Sequence, residues 1–243
     1  MNKNNLSIIL VRPQLPENIG MVARAMDNCG LSKLILISPR EKWPNKKAID
    51  SSANSKNILK KVKVFNSLNK ALFSFDYVIA TSNRNRFLKK PIHNDFVGLF
   101  QKIPFKKKVA ILFGPENSGL TNDDLMLSDL IFNIHLSSTN TSLNLSHAVL
   151  LMAYKWKEYI DTSNNFIDSN KINRKISSKK EFYYFMEYLK KELDEVGFLY
   201  PKNKSKSMFN NIKTMFLRSA LSKTEIQTLW GMIKKLRYAS KNR

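Results

Sequence analysis

Six short apolar runs recur along the first two thirds of this chain, and segments with helical periodicity separate them. They are Leu6–Val11, Leu34–Ile37, Val62–Phe65, Tyr77–Thr81, Val109–Phe113 and Leu130–Ile134. Runs of this length and composition are typical of strands that are buried on both faces of a sheet. Because they alternate with helices, they predict an α/β fold with a parallel sheet and helices on both faces.

The chain turns polar over residues 161–180, where Ser, Asn and Lys dominate. We interpret this stretch as a linker between a first domain, 1–160, and a C-terminal extension, 181–243. The extension places apolar residues at helical spacing, which predicts a small helical appendage. These residues are Phe182, Phe185, Leu189, Leu193 and Val196, then Phe209, Ile212 and Phe216, then Ile226, Leu229, Trp230 and Ile233.

Ligands of open parallel sheets bind at the carboxyl ends of the strands, so the segments that follow the strands are the informative ones. Three of them end in helix start signals. Asn18 precedes a helix that Gly30 stops, Thr121 and Asp124 form a capping pair, and Asn144 opens an apolar helix that reaches Tyr159. Helix N-termini favour polar or anionic ligands, which predicts a binding site at this edge of the sheet.

The chain carries 41 Lys and Arg against 19 Asp and Glu, a formal net charge of +22. This excess favours a polyanionic partner such as a nucleic acid, because neutralised phosphates release their counterions. A compositional bias toward lysine is the alternative explanation. The charge alone therefore does not decide the function.

Cysteine, histidine and hydropathy exclude several other classes of protein. The single cysteine, Cys29, rules out an internal disulfide and a cysteine metal cluster, and we expect it in the core. His93, His135 and His147 lack carboxylates or thiols at metal-ligand spacing, so we expect no metal site. The N-terminal apolar run is too short for a signal peptide, and no run approaches membrane-spanning length. These features predict a cytoplasmic protein.

Three segments carry the residues expected of a binding site. Pro16–Ala25 places Arg24 within two turns of a helix start, as either a surface residue or an anion clamp. Gly114–Leu120 has two glycines where a plain turn needs one, which indicates a binding loop. Ser142–Ala148 opens a helix with small residues that allow close packing.

In this order and at these spacings, the three segments resemble the signature motifs of the SpoU/TrmH branch of the SPOUT RNA methyltransferases. The nearest resemblance is to the TrmJ type. Residues 6–160 resemble its catalytic domain, and residues 206–236 resemble its helical C-terminal extension. The resemblance implies a deep trefoil knot and a homodimer. It also implies 2′-O-methylation of cytidine or uridine at nucleotide 32 of the tRNA anticodon loop.

The resemblance also implies that S-adenosylmethionine is bound by three loops, mostly through backbone groups. The residues concerned are Thr81, Ser82, Asn83, Gly114, Ile134, Thr141, Ser142 and Leu143. One departure affects this assignment, because residues 137–141 stand where the family often has an Asn-Pro turn. The departure puts the loop geometry and the affinity for the cofactor in question.

By the same resemblance Arg24 is the catalytic residue. Arginine stays protonated in proteins, so we expect Arg24 to clamp a phosphate and stabilise the developing alkoxide rather than act as a base. Asn18, Glu116 and Asn144 resemble the polar supports of that arginine. For Asn18 and Asn144, helix capping is the alternative role.

A basic run follows one of the predicted cofactor loops. Arg84, Arg86, Lys89 and Lys90 are candidates to grip the RNA backbone, and a solvated loop is the alternative. Two other functions stay open, a methyltransferase for another RNA such as ribosomal RNA and a tRNA-binding protein that has lost catalysis. Whether cytidine, uridine or both are accepted is also open, because an enzyme that acts on ribose reads shape more than base edges.

Overall fold

The computed structural model describes residues 5–83, 90–103, 107–136, 143–163 and 176–241. Its strands are β1 Leu6–Val11, β2 Leu34–Ile37, β3 Lys63–Phe65, β4 Tyr77–Thr81, β5 Ile92–His93, β6 Val109–Phe113 and β7 Leu130–Phe132. The helices are α1 Pro16–Asn28, α2 Lys46–Ser51, α3 Lys56–Leu59, α4 Leu68–Leu72, α5 Phe96–Gln101, α6 Asn122–Met126, α7 Leu145–Ser163, α8 Lys179–Glu195, α9 Lys202–Arg218 and α10 Lys223–Lys241.

The strands form a single sheet in the order β3-β2-β1-β6-β4-β7-β5, and every pair in it is parallel. The register pairs Leu10 of β1 with Phe113 of β6, and Thr81 of β4 with Phe132 of β7. This arrangement confirms the predicted α/β class. Because all strands run the same way, the segments that follow β1, β4, β6 and β7 meet at one edge of the sheet.

The predicted strands agree with the structure to within two residues. The limits of β1, β2, β4 and β6 are as predicted, while β3 begins one residue later and β7 ends two residues earlier. The sequence did not predict β5. Its two residues are too few to form an apolar run, and Ile92 is 50% exposed.

Burial on both faces of the sheet explains why β1, β2 and β6 are almost continuously apolar. Every residue of β1, β2 and β6 is buried. On one face, α1 and α7 contribute Met26 and Trp156 to the main core. Cys29 is buried as predicted, and burial raises the pKa of its thiol.

The described residues group into two compact units, one with 5–72 and the described part of 77–163, and the other with 73–76 and 176–241. In the second unit, α8 starts with a capping box between Ser178 and Glu181. Its core contains the predicted apolar positions of α8, α9 and α10, except that Val196 lies past the end of α8 and is exposed. The domain limits at 160 and 181 stay a prediction, since residues 164–175 lie outside the described part.

The packing of α1 on α2 depends on a glycine. A Cβ atom at Gly20 would overlap the backbone oxygen of Ala48 and the hydroxyl of Ser51. That hydroxyl donates hydrogen bonds to the backbone oxygens of Glu17, at 2.9 Å, and Lys47, at 2.9 Å. The first helix can therefore lie against α2 only without a side chain at position 20.

We predict that Gly20→Ala destabilises the protein by about 1–3 kcal/mol, because the added methyl group forces α1 and α2 apart. Gly231→Ala is the matched control. Gly231 also lies in a helix, but a Cβ there meets no atom within 4 Å, so its replacement should raise stability by about 0.5–1 kcal/mol. Urea unfolding followed by circular dichroism measures both changes, and equal midpoints for Gly20→Ala and the wild type would contradict the packing.

Candidate functional site

A cavity of about 390 Å³ opens at the carboxyl edge of the sheet, a volume within the range of small-molecule sites. The segments after β4, β6 and β7 and the start of α7 line it. The lining residues are Thr81, Ser82, Asn83, Phe113, Gly114, Pro115, Glu116, Asn117, Gly119, Leu120, Ile134, Leu136, Leu143, Leu145 and Ala148. Three loops that are distant in sequence therefore converge on one space in the first unit.

Six of the eight residues predicted to bind the cofactor line this cavity. They are Thr81, Ser82, Asn83, Gly114, Ile134 and Leu143. The other two, Thr141 and Ser142, lie outside the described residues. The role of all eight in cofactor binding stays a prediction.

Sequence reasoning missed three apolar residues of the lining, Phe113, Leu136 and Leu145. These residues resemble ordinary core positions, because nothing in their spacing distinguishes a cavity wall from a packed interior. The lining is therefore partly apolar and, at Thr81, Ser82 and Asn83, partly polar. Such a lining suits a ligand that has both kinds of surface.

The loop after β6 bends back on itself at the cavity. A Cβ atom at Gly114 would overlap the backbone nitrogen of Leu120, and Gly119 has a φ of +66°. The first glycine therefore permits a close approach of two backbone segments, and the second permits a left-handed turn. This agrees with the two-glycine signal in the sequence.

The carboxylate of Glu116 joins this loop to the segment after β1. It accepts hydrogen bonds from the backbone nitrogens of Gln14, at 2.9 Å, and Leu15, at 3.3 Å. It also accepts one from the side-chain nitrogen of Asn18, at 2.8 Å. Three donors on one carboxylate fix the two segments relative to each other.

The same network continues through Asn18 to the third motif. The side-chain nitrogen of Asn144 donates to the side-chain oxygen of Asn18, at 3.2 Å. The side-chain oxygen of Asn144 accepts from the backbone nitrogen and the hydroxyl of Ser146, at 2.8 and 2.7 Å. The structure thus brings Asn18, Glu116 and Asn144 together in one chain of hydrogen bonds.

The capping alternatives for the two asparagines have different outcomes. Capping by Asn18 is wrong, because α1 begins at Pro16 and the side chain of Asn18 faces Glu116 and Asn144 instead. Capping by Asn144 agrees with its bond to the nitrogen of Ser146 at the start of α7. The proline at the first helical position explains the earlier start of α1.

Arg24 lies on the exposed face of α1 and is not among the described residues that line the cavity. On the same face and three residues earlier lies Met21, which is 38% exposed. Asn18, which belongs to the network, is buried. The predicted catalytic arginine is therefore exposed and does not belong to the described lining of the cavity in its own chain.

The structure corrects one of the four basic residues assigned to RNA binding. The amine of Lys90 is buried and donates a hydrogen bond to the backbone oxygen of Ser128, so it is not available to a phosphate. Arg84, Arg86 and Lys89 lie outside the described residues. A lysine in a basic run gives no signal in the sequence that it folds inward.

Another arginine, which the sequence analysis did not single out, lies beside the cavity loop. The guanidinium of Arg12 is paired with the carboxylate of Asp124, and Asp124 belongs to the capping box of α6. Among the described residues, His, Cys, Asp and Glu form no group that could hold a metal ion. No helix in this part of the chain combines the length and the apolar character that a membrane span requires.

Two protein-family profiles match this chain. Residues 5–154 match the profile of the SpoU rRNA Methylase family, and the chain belongs to this family of RNA-modifying enzymes. Residues 180–243 match the profile of the tRNA methyltransferase TrmJ, C-terminal domain. The likeness to TrmJ therefore covers the helical unit as well as the sheet.

Relatives align over nearly the whole chain. An uncharacterized tRNA/rRNA methyltransferase of Haemophilus influenzae is 31% identical, over 94% of this chain and 93% of its own. The tRNA (cytidine/uridine/adenosine-2′-O-)-methyltransferase TrmJ of Pseudomonas aeruginosa is 29% identical, over 95% and 93%. The crystal structure of TrmJ from Z. mobilis superposes with a TM-score of 0.84 at 32% identity, over 95% of this chain and 98% of that one.

We predict that Asn18→Ala destabilises the protein by about 1–3 kcal/mol, because it leaves hydrogen-bonding groups of Glu116 and Asn144 without their partner. Asn18→Asp should be more harmful at neutral pH, since it sets a second carboxylate against Glu116. Urea unfolding at neutral pH compares both variants with the wild type. Equal stability of the wild type and both variants would rule out the network.

Proposed function

We propose that this protein transfers the methyl group of S-adenosylmethionine to a ribose 2′-hydroxyl of tRNA, at nucleotide 32 of the anticodon loop, in the cytoplasm. The observation that carries the proposal is the convergence of the second and third motifs and residues 81–83 on one cavity, in a chain that belongs to the SpoU family. The first motif is joined to the second by the hydrogen bond from Asn18 to Glu116. The tRNA substrate is supported by the full-length likeness to TrmJ proteins and by the match to their C-terminal domain.

The cavity fits S-adenosylmethionine on three grounds. Its volume of about 390 Å³ is that of a small-molecule site. Gly114 leaves room that a side chain would fill. Residues 81–83 offer polar groups for an adenosine, and Leu120, Leu136 and Leu143 offer an apolar wall. When bound, the cofactor supplies an electrophilic methyl group on a sulfonium.

The chain itself has two tasks in the reaction we propose. It must hold the ribose oxygen in line with the methyl group, and such positioning contributes roughly 7–11 kcal/mol in well-oriented systems. It must also stabilise the negative charge that develops on that oxygen. A fixed cation suits the second task, and Arg24 is our candidate, clamping an RNA phosphate and the activated oxygen.

An apolar surface on the first unit supports a homodimer. The helices α1 and α7 pack together, and both expose large apolar side chains. These are Met21 of α1 and Leu150 and Tyr154 of α7, which are 38%, 40% and 52% exposed. Leu15, which directly precedes α1, is 52% exposed. A second copy that covers this surface would also bring Arg24, which neighbours Met21, to the interface. We therefore propose that Arg24 acts at the cavity of the partner subunit.

The test of the function is methyl transfer with purified protein. We expect transfer from labelled S-adenosylmethionine to tRNA that lacks the modification, and a 2′-O-methyl group at nucleotide 32 when the product is mapped. A methyl group in ribosomal RNA instead would support the related alternative. Binding of tRNA without any binding of the cofactor in calorimetry would support a protein that has lost catalysis, and would contradict the proposal.

We predict that Arg24→Ala lowers transfer by about a hundredfold or more, while cofactor binding and thermal stability stay near those of the wild type. Gly114→Val should instead abolish cofactor binding. When the two variants are combined in mixed dimers, an arginine that acts across the interface restores one site in each mixed dimer, roughly a quarter of wild-type activity for equal amounts. Lack of restoration in verified mixed dimers would place Arg24 in its own subunit's site.

We predict that Leu150→Glu weakens dimerisation at least about tenfold, because it places a charge in the apolar surface of α1 and α7. Val64→Glu is the matched control, since Val64 is also exposed, at 42%, but lies in the edge strand β3. Sedimentation over a range of concentrations measures both. A monomeric wild type at every concentration would contradict the dimer.

A further inference from the structure

Arg12 has an unusual backbone for a residue with a long side chain. It directly follows β1, and its φ is +51°, in the left-handed region that favours glycine. Its backbone nitrogen donates to the oxygen of Ile37, at 2.7 Å, which fixes this turn to the end of β2. A residue with a Cβ adopts this conformation uncommonly.

That side chain makes a two-pronged ion pair. The guanidinium of Arg12 donates to both carboxylate oxygens of Asp124, one of them at 3.3 Å. The carboxylate is 9% exposed, and it also accepts hydrogen bonds from the backbone nitrogen and the hydroxyl of Thr121, each at 2.8 Å. A buried carboxylate needs such partners, so the start of α6 is held against the end of β1.

The loop of residues 114–120, which lines the cavity, lies between the end of β1 and the start of α6, which this ion pair joins. It begins at Gly114, which follows β6, the neighbour of β1 in the sheet. It ends at Leu120, next to the capping box that Arg12 contacts. Because Gly114 and Leu120 touch through their backbones, a shift of α6 moves the wall of the cavity directly. Glu116 holds the middle of the loop, and Arg12 holds its end.

We propose that Arg12 is a positioning residue, which acts through Asp124 to keep the loop of residues 114–120 in the shape that binds the cofactor. This inference rests on the proposed function, since it takes S-adenosylmethionine as the ligand of the cavity. A loop held in its binding shape lowers the free energy lost on binding. Arg12 therefore affects the affinity for the cofactor rather than the chemical step.

The experiment measures the Kd of S-adenosylmethionine by calorimetry, and the KM and kcat of methyl transfer, in the full-length protein. For Arg12→Gln we expect Kd and KM for the cofactor to rise about tenfold, with kcat at saturating cofactor within about twofold of the wild type. Arg12→Lys, which keeps the charge but loses the fork, should fall between them. The control is Lys47→Gln, which breaks the exposed pair of Lys47 with Glu17 and should leave Kd, KM and kcat unchanged.

Asp124→Asn provides a second, independent route to the same result. It keeps an acceptor for Thr121 but loses the charge that faces Arg12. If Arg12 acts through Asp124, the double variant should bind the cofactor about as weakly as either single variant, whereas independent effects would multiply. A thermal unfolding scan of each variant ensures that binding is measured on folded protein.

The outcomes separate the two proposals. A wild type that binds no S-adenosylmethionine removes the proposed function, and this inference with it. If the wild type and Arg12→Gln bind S-adenosylmethionine equally well, the inference about Arg12 is wrong while the proposed function stands. The same holds if Arg12→Gln only unfolds at a lower temperature and its affinity for the cofactor is unchanged. If the effects of the two substitutions on Kd multiply in the double variant, Arg12 affects cofactor binding by a route other than Asp124.

Discussion

The carboxylate of Glu116 is the constraint on which the rest of the site depends. It accepts three hydrogen bonds from the segment after β1, and through Asn18 it reaches Asn144 at the start of α7. Strands of a parallel sheet only bring their carboxyl ends to the same edge. The contacts of Glu116 and Asn144 turn that loose proximity into a defined geometry, in which residues more than 120 positions apart in sequence share one network.

Most of the sheet was predictable because its central strands are buried on both faces. Complete burial makes β1, β2 and β6 apolar except for Ser7, and the resulting runs mark the strands almost to the residue. Where that condition fails, so does the prediction. The strand β5 has two residues and an exposed Ile92, and its pairing with β7 depends on contacts that no local pattern shows.

The candidate site was predictable in part for a similar reason. The glycines and the polar residues that follow the strands can be read from the sequence, and most of them line the cavity. Contacts across the fold cannot be read in this way. The sequence around Asn18 is typical of a helix cap, but in the structure its side chain donates to Glu116. Lys90 resembles a surface cation in the sequence, but its amine is buried and donates to Ser128. The pairing of Arg12 with Asp124 joins positions 112 residues apart. In the homodimer that we propose, the role of Arg24 also depends on which surfaces of the chain the second copy covers.

All the described residues that line the cavity lie between Thr81 and Ala148, within the sheet-bearing unit. The helical unit has a hydrophobic core of its own. Substitutions on the surface of α8, α9 and α10 can therefore accumulate in a lineage while every described residue of the cavity wall is retained.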